Sequence, residues 1–170
     1  MFQWLKNLFS KEHTTSRKEK IISAILFFGY IYGLGFAGSY APGEFYRQLI
    51  KSALTPPNWV FPVAWTILFF LIGLSGYYIW NHYSSAAKRR LFTLLYIANG
   101  ILVFLWSYFF FGQQNITTPL FIILGMIIVA ELMILTAFGT NKKAAYVLIP
   151  YLAWILFATY LNASIIALNG

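Results

Sequence analysis

Aromatic side chains carry whatever chemistry this chain can do, because the usual reagents are scarce. It has no Asp and no Cys, and its only histidines are His13 and His82. A Ser-His-Asp triad and a Cys/His metal cluster are therefore ruled out, and no metal site is expected. Against that shortage stand 6 Trp, 12 Tyr and 17 Phe, together 21% of the sequence. Trp65, Phe69, Trp106, Tyr108, Tyr151 and Trp154 are the set to follow. Indole and phenol rings offer flat, polarisable walls, and a pocket built from them suits a planar apolar ligand with a few placed polar contacts. Asn99, Ser107, Thr159 and Asn162 are candidates for those contacts. Trp154 lies four residues after Pro150 and four before Ala158, and the small neighbour leaves room beside the ring. Haem iron takes an axial His, Cys, Met or Tyr, and with His13 in the tail and His82 near the other end of the second span, the lack of His and Cys in the outer half of the bundle favours a metal-free ring over haem. The alternative reading of these aromatics is a belt facing the lipid headgroups.

The elements that position them follow from composition. Apolar residues make up 60% of the chain and charged ones 9%, with a mean hydropathy of +0.70. A water-soluble surface cannot be built from the remainder. Long apolar runs cover about 21–40, 59–82, 91–112, 119–138 and 144–168, and each meets the ~20 residues needed to cross the hydrocarbon as a helix. Apolarity is continuous rather than alternating, which excludes a β-barrel. The fold class is all-α, a five-transmembrane-helix bundle, with 1–20 as a basic N-terminal tail and 21–170 as one membrane domain.

Between the spans, the long first connection carries Pro42, Gly43, Arg47, Lys51 and Pro56-Pro57, which favour helix entry over continuation. It leads into Trp59 and Trp65, six residues apart and so on different helix faces. One is free to anchor at the headgroups while the other points elsewhere. Of the 12 Lys and Arg residues, all but Arg47 and Lys51 fall on the tail, the second connection or the fourth, which share one side of a five-span bundle. The positive-inside rule then puts the N-terminus in the cytoplasm and the C-terminus outside, in a multi-pass protein of the cell membrane. The net charge of +8 is explained by topology and anionic headgroups, and no nucleic-acid partner is expected. Met1–Phe9 has Phe2, Leu5, Leu8 and Phe9 at helical spacing, which reads either as a short interfacial helix or as a frayed tail. Ser39-Tyr40-Ala41 loosely resembles a signal cleavage site, but the basic lead is too long and Pro42 follows directly, so the first span is expected to stay.

Glu131 is the one ionisable residue inside a span, about 18 Å along its helix from Pro119 at 1.5 Å per residue. Intramembrane carboxyls are costly, and both a structural role and ion or proton coupling stay open. Gly29, Gly33 and Ala37 form a small-residue row, expected to pack inside the monomer; Gly73 and Gly76 read as packing or kink positions.

Four segments carry a family resemblance: Phe45-Tyr46-Arg47-Gln48-Leu49-Ile50-Lys51; Thr55-Pro56-Pro57-Asn58-Trp59-Val60-Phe61 with Trp65; Trp106-Ser107 with Phe110-Phe111-Gly112; and Pro150-Tyr151-Leu152-Ala153-Trp154 with Phe157-Ala158-Thr159-Tyr160-Leu161-Asn162. In this order, across all five spans, the chain resembles the TspO/translocator protein family of tryptophan-rich sensory, or peripheral benzodiazepine receptor-like, proteins. The resemblance implies a five-helix bundle, commonly a homodimer, that binds protoporphyrin IX or a related tetrapyrrole under the first loop. It implies tetrapyrrole sensing, transport or regulation, with no required cofactor. By motif position, Tyr46 and Pro56 line the lid, Trp65 and Phe69 the second span's wall, Ser107 the third's, and Trp154 with Ala158 the fifth's. Asn99 and Tyr151 join them as ligand-binding candidates, and Arg47 and Lys51 stand at the water boundary as propionate partners.

This chain departs from the family in places. Lys51-Ser52-Ala53-Leu54 lacks a loop proline and tryptophan, Val103 and Ile122 replace polar residues, and no Lys or Arg follows Tyr160, which leaves the steroid motif incomplete and cholesterol a doubtful partner. Two alternative functions stay open beside binding. One is light- and oxygen-dependent porphyrin degradation with Trp65 and Trp154 as the photochemical residues; the other is transport of small lipophilic ligands coupled through Glu131.

Overall fold

A computed structural model of the protein describes residues 15–39, 43–82 and 85–170. These residues form α1 (Arg17–Ala37), α2 (Glu44–Gln48), α3 (Val60–Asn81), α4 (Ala86–Ser107), α5 (Thr118–Phe138), α6 (Lys142–Tyr146) and α7 (Ile149–Asn169), with a π-helical turn, Tyr108–Gly112, extending α4. No strand occurs among them. Five segments are long and apolar enough to cross a membrane: α1, α3, α4 with its π turn, α5, and α6 with α7. The all-α five-span architecture is the one the apolar runs require. The readings made on Met1–Phe9, Lys6, Lys11, His13, Tyr40–Pro42 and Tyr83 lie outside the described residues.

Three spans begin earlier than their charge-free runs because polar residues cap them. At α1, Ser16 Oγ accepts from the Glu19 amide at 3.3 Å and Glu19 Oε2 accepts from the Ser16 amide at 2.7 Å, a reciprocal capping box. Ser85 Oγ accepts from the Lys88 amide at 3.5 Å before α4, and Asn141 Oδ1 accepts from the Lys143 amide at 3.0 Å before α6. The fifth span is interrupted at Val147–Leu148 and restarts at Ile149, with Pro150 in its first turn, where a missing amide proton costs nothing.

The spans close into a ring in which α1 meets α3, α3 meets α7, α7 meets α5, α5 meets α4 and α4 meets α1. First-span aromatics land on glycines of the neighbouring helices. A Cβ at Gly76 would sit 2.3 Å from Phe27 Cδ1, and one at Gly73 2.6 Å from Phe28 Cδ1, so both glycines are packing positions. A Cβ at Gly29 or Gly33 would meet nothing within 4 Å beyond the surrounding helix backbone, and both glycines lie on the exposed side of α1 beside Ile25 and Leu26. The expectation that their row packs inside the monomer is therefore corrected: the row faces outward, and helix contact is made by aromatics of α1 on glycines of α3.

Hydrogen bonds between spans pair several of the polar groups in the core, where a medium without water makes pairing valuable. The Tyr96 hydroxyl donates to the Phe27 carbonyl at 2.8 Å, Tyr30 to that of Ile97 at 2.6 Å, and Asn81 Nδ2 to Ser23 Oγ at 2.9 Å. Ile25, Phe36, Phe121 and Leu135, each more than 60% exposed, stand on the outside of the ring, where lipid is their solvent. Glu131 is also exposed there, beside Ile128, Leu132 and Leu135.

Candidate functional site

Toward the first loop the ring opens into a cavity of about 480 Å³, lined by the far end of α1, the start of α3, the end of α4 and the latter half of α7. No residue of α5 takes part. On α3, Phe61, Trp65 and Phe69 recur every four residues and share one face, which is the cavity wall. Trp59, on another face, is 68% exposed, as expected of a headgroup anchor. Trp65 packs on Phe69 with centroids 5.3 Å apart, and Tyr32 of α1 meets Phe69 edge-on at 5.8 Å. Gly35 allows this approach: a Cβ there would fall 2.2 Å from Phe69 Cε2.

Opposite stands the π turn. Its i→i+5 hydrogen bond, Gln113 amide to Tyr108 carbonyl at 2.9 Å, changes the rotation per residue, and the adjacent Phe110 and Phe111 both line the cavity. Trp106 stacks on Phe110 at 5.3 Å and 9°. Ser107, which also lines the cavity, donates its hydroxyl proton to the Gly38 carbonyl and joins α4 to the end of α1. The remaining wall comes from Ala158, Leu161, Asn162 and Ile165 of α7.

The first loop roofs the cavity through Tyr46, Thr55 and Asn58. Tyr46 is buried against Phe110 and Phe111, at 6.2 and 5.8 Å between centroids, and burial pushes its phenol above the ordinary value of 10.0. The Lys51 ammonium lies 4.6 Å from the Tyr46 ring centroid, a cation–π contact, and donates to the Leu49 carbonyl at 2.8 Å. Two polar links hold the roof to α7. The Asn169 carboxamide accepts from the Ile50 amide and donates to its carbonyl, both at 2.9 Å, and Ser52 Oγ lies 2.8 Å from the Tyr160 hydroxyl.

Two polar atoms of lining residues, Trp106 Nε1 and Asn162 Oδ1, are buried without a hydrogen-bond partner among the described residues. Asn162 uses its other arm to donate to the Ile116 carbonyl at 2.8 Å, which fixes the amide. Both atoms have essentially no accessible surface, so neither faces the open space of the cavity.

Of the residues singled out from the sequence, Tyr46, Trp65, Phe69, Ser107 and Ala158 are brought together around this cavity. Pro56 is not among the lining residues, its neighbours Thr55 and Asn58 being there instead. Asn99 and Tyr151 lie in the core, bonded to each other through the Tyr151 hydroxyl and Asn99 Oδ1 at 2.7 Å and fully buried. Trp154 stands behind the wall, edge-on to Phe61 at 6.1 Å. Arg47 is exposed and 3.9 Å from Glu44, so neither it nor Lys51 lines the cavity. The contribution of α1 through Tyr32, Gly35 and Gly38 was missed by sequence reasoning. Gly35 and Gly38, which flank Phe36 and Ala37 at the end of the span, are the available signal.

Comparison with known proteins gives a consistent assignment. The chain is 40% identical over 158 residues to the tryptophan-rich protein TspO of Archaeoglobus fulgidus, covering 89% of this chain and 97% of that one. It is 33% identical over 155 residues to the protein of the same name from Chlorobaculum tepidum, covering 89% and 98%. To the human translocator protein it is 30% identical over 132 residues, covering 75% and 78%. The TspO/MBR family profile matches residues 22–168, and with five membrane-length apolar helices this makes the chain a multi-pass integral membrane protein belonging to the TspO/MBR family of tryptophan-rich sensory and translocator proteins.

Proposed function

We infer that this protein binds a metal-free porphyrin, of the protoporphyrin IX type, in the aromatic cavity beneath its first loop, and that it serves tetrapyrrole sensing, transport or regulation. The observation that carries this reading is the aromatic lining of the cavity, in which Phe61, Trp65 and Phe69 of α3 face Trp106, Phe110 and Phe111 of α4 and its π turn. Such walls suit a flat apolar ring, which gains area burial together with aromatic contacts. The cavity volume of about 480 Å³ lies within the usual ligand range.

A metal-free ring is preferred to haem on the donor set. The lining residues include no His, Cys or Met, and the Tyr32 hydroxyl already donates to the Thr66 carbonyl at 2.8 Å, leaving Tyr46 as the one axial candidate by type. Ring edges meeting Trp65, Phe69 and Trp106 gain roughly 0.5–1.5 kcal/mol per contact beyond area burial. The propionates face the first loop, where Lys51 and Arg47 are the nearest cations in sequence to the roofing Tyr46. By the Lys and Arg bias the N-terminus lies in the cytoplasm and the cavity faces the outside of the cell membrane, and membership of the family adds a homodimer to this reading.

The photochemical reading is favoured at one residue, Trp65, whose indole lines the cavity. An excited porphyrin there takes one electron from the indole, and oxygen adds to the resulting ring radical anion at a bridging carbon. The adduct returns the electron to the indole radical cation, and cleavage of the bridge carbon–carbon bond leaves a ring-opened dicarbonyl, so that the net reaction is porphyrin plus oxygen with the tryptophan restored. Trp154 takes part only through Phe61. Binding is tested by titrating protoporphyrin IX in the dark into the parent and into Trp65→Phe/Trp106→Phe; saturable binding weakened in the double variant supports the site, and equal binding removes it. Product spectra under equal illumination, with and without Trp65, separate turnover from ordinary photosensitised bleaching.

A further inference from the structure

The hydroxyl groups that line the aromatic cavity differ in what they bond, and the difference follows their position. Those of the walls are spent on backbone carbonyls. Tyr32 donates to that of Thr66 at 2.8 Å, Thr66 Oγ1 to that of Pro62 at 2.8 Å and Ser39 Oγ to that of Phe36 at 2.7 Å, while Ser107 donates to that of Gly38. On the roof, the Tyr46 and Thr55 hydroxyls have no hydrogen-bond partner among the described residues, and both oxygens keep accessible surface. Tyr46 is only 7% exposed as a whole and borders the cavity, so what its hydroxyl bonds comes from the cavity's contents. Burial holds that phenol above the ordinary 10.0, so it keeps its proton to donate at neutral pH.

We propose that the Tyr46 and Thr55 hydroxyls determine specificity, bonding the oxygen atoms at one edge of the bound ring and, being neutral, reading a carbonyl oxygen rather than a negative charge. This rests on the porphyrin reading above and adds to it the class of substituent selected. A hydroxyl both donates and accepts, so the pair serves a carboxylate, a carboxylic acid or an ester alike. The cations of the same loop are placed elsewhere. Lys51 is turned onto the Tyr46 ring and the Leu49 carbonyl, Arg47 is exposed at 3.9 Å from Glu44, and neither lines the cavity. Exposed charges outside the cavity are screened and add little. With the wall hydroxyls already occupied, a ring that carries its oxygens on one edge is held with that edge to the roof and its alkyl edge among Trp65, Phe69 and Trp106.

The test uses the full chain in detergent, with tryptophan quenching measured in the dark. Protoporphyrin IX, its dimethyl ester and etioporphyrin, which carries only alkyl groups, are each titrated into the parent and into Tyr46→Phe/Thr55→Val. The double substitution removes two oxygens, keeps both side-chain shapes and breaks no hydrogen bond among the described residues, so helix content stays at the parental value. Affinity for the free acid and for the ester is expected to fall by about tenfold each, and that for etioporphyrin by no more than about twofold. Equal loss for all three ligands overturns the proposal in favour of roof packing, and three unchanged affinities overturn it in favour of hydroxyls that serve only water. A loss confined to the free acid also overturns it, because charge is then what the roof reads. Absence of saturable binding of all three to the parent overturns the porphyrin reading itself, which the other outcomes leave standing.

Discussion

The carboxamide of Asn169 pairs with both backbone polar groups of Ile50, accepting from its amide and donating to its carbonyl at 2.9 Å each. One side chain at the end of α7 thus does for the first loop what a neighbouring strand does for a β-edge. Its Nδ2 also donates to the Ile165 carbonyl at 2.8 Å, so the amide is oriented before the loop arrives. The roof over the cavity is therefore fastened to the helix that supplies one of the walls.

Asn169→Ala removes both bonds to the loop. At a net 0.5–1.5 kcal/mol for each hydrogen bond, opening the roof becomes easier by about 1–3 kcal/mol. Release of protoporphyrin IX, followed by stopped flow in the dark, is expected to quicken about tenfold while helix content by circular dichroism stays the same. An unchanged release rate means that ligand does not leave through this loop.

Gly35→Ala tests the close contact that forms the α1 wall. The added carbon would lie 2.2 Å from Phe69 Cε2, so the ring must shift, and Phe69 borders the cavity. Overpacking of this kind typically costs 1–3 kcal/mol. Porphyrin affinity is expected to fall by about tenfold. Gly29→Ala, on the open face, is the matched control and leaves affinity at the parental value.

Asn99→Leu separates core from site. It strands the buried Tyr151 hydroxyl, which now donates to Asn99 Oδ1 at 2.7 Å, at a cost of about 1–3 kcal/mol. Thermal stability in detergent should drop while dark porphyrin affinity is retained. A loss of affinity in the folded variant would return Asn99 to the ligand site.

Glu131 stands on the exposed face of α5, a helix that contributes nothing to the cavity lining. Glu131→Gln is therefore expected to leave porphyrin affinity unchanged. The coupled-transport alternative predicts loss of ligand flux in vesicles at the same intact affinity. Parental flux removes that alternative, and a fall in affinity contradicts the outward placement.

Much of this architecture is legible in the sequence because lipid imposes one rule on every span. The apolar runs mark five helices, and the four-residue spacing of Phe61, Trp65 and Phe69 marks a shared face. What the runs miss are the capped starts at Arg17, Ala86 and Lys142, since capping uses polar residues that a charge-free criterion trims away. The π turn is also hidden, because the sequence Tyr-Phe-Phe-Phe-Gly has no local signal that separates i→i+5 from i→i+4 bonding. Tyr151 and Asn99 were read toward the ligand because each has the right residue type at a suitable depth. Only packing reveals that they bond to each other in the core. Trp154 illustrates the same limit: its neighbour Ala158 reaches the cavity while Phe61 stands in front of the indole.

Ala158→Leu is the most direct test of porphyrin binding in the cavity, since it adds volume to the α7 wall while replacing neither a roof residue nor an aromatic. Quenching of tryptophan fluorescence by protoporphyrin IX is measured in the dark, corrected for inner-filter absorption, on the parent and on Ala158→Leu. The account predicts saturable quenching in the parent and an affinity at least about tenfold weaker in the variant, with unchanged helix content. Quenching that does not saturate, or saturates equally in both proteins, would contradict it.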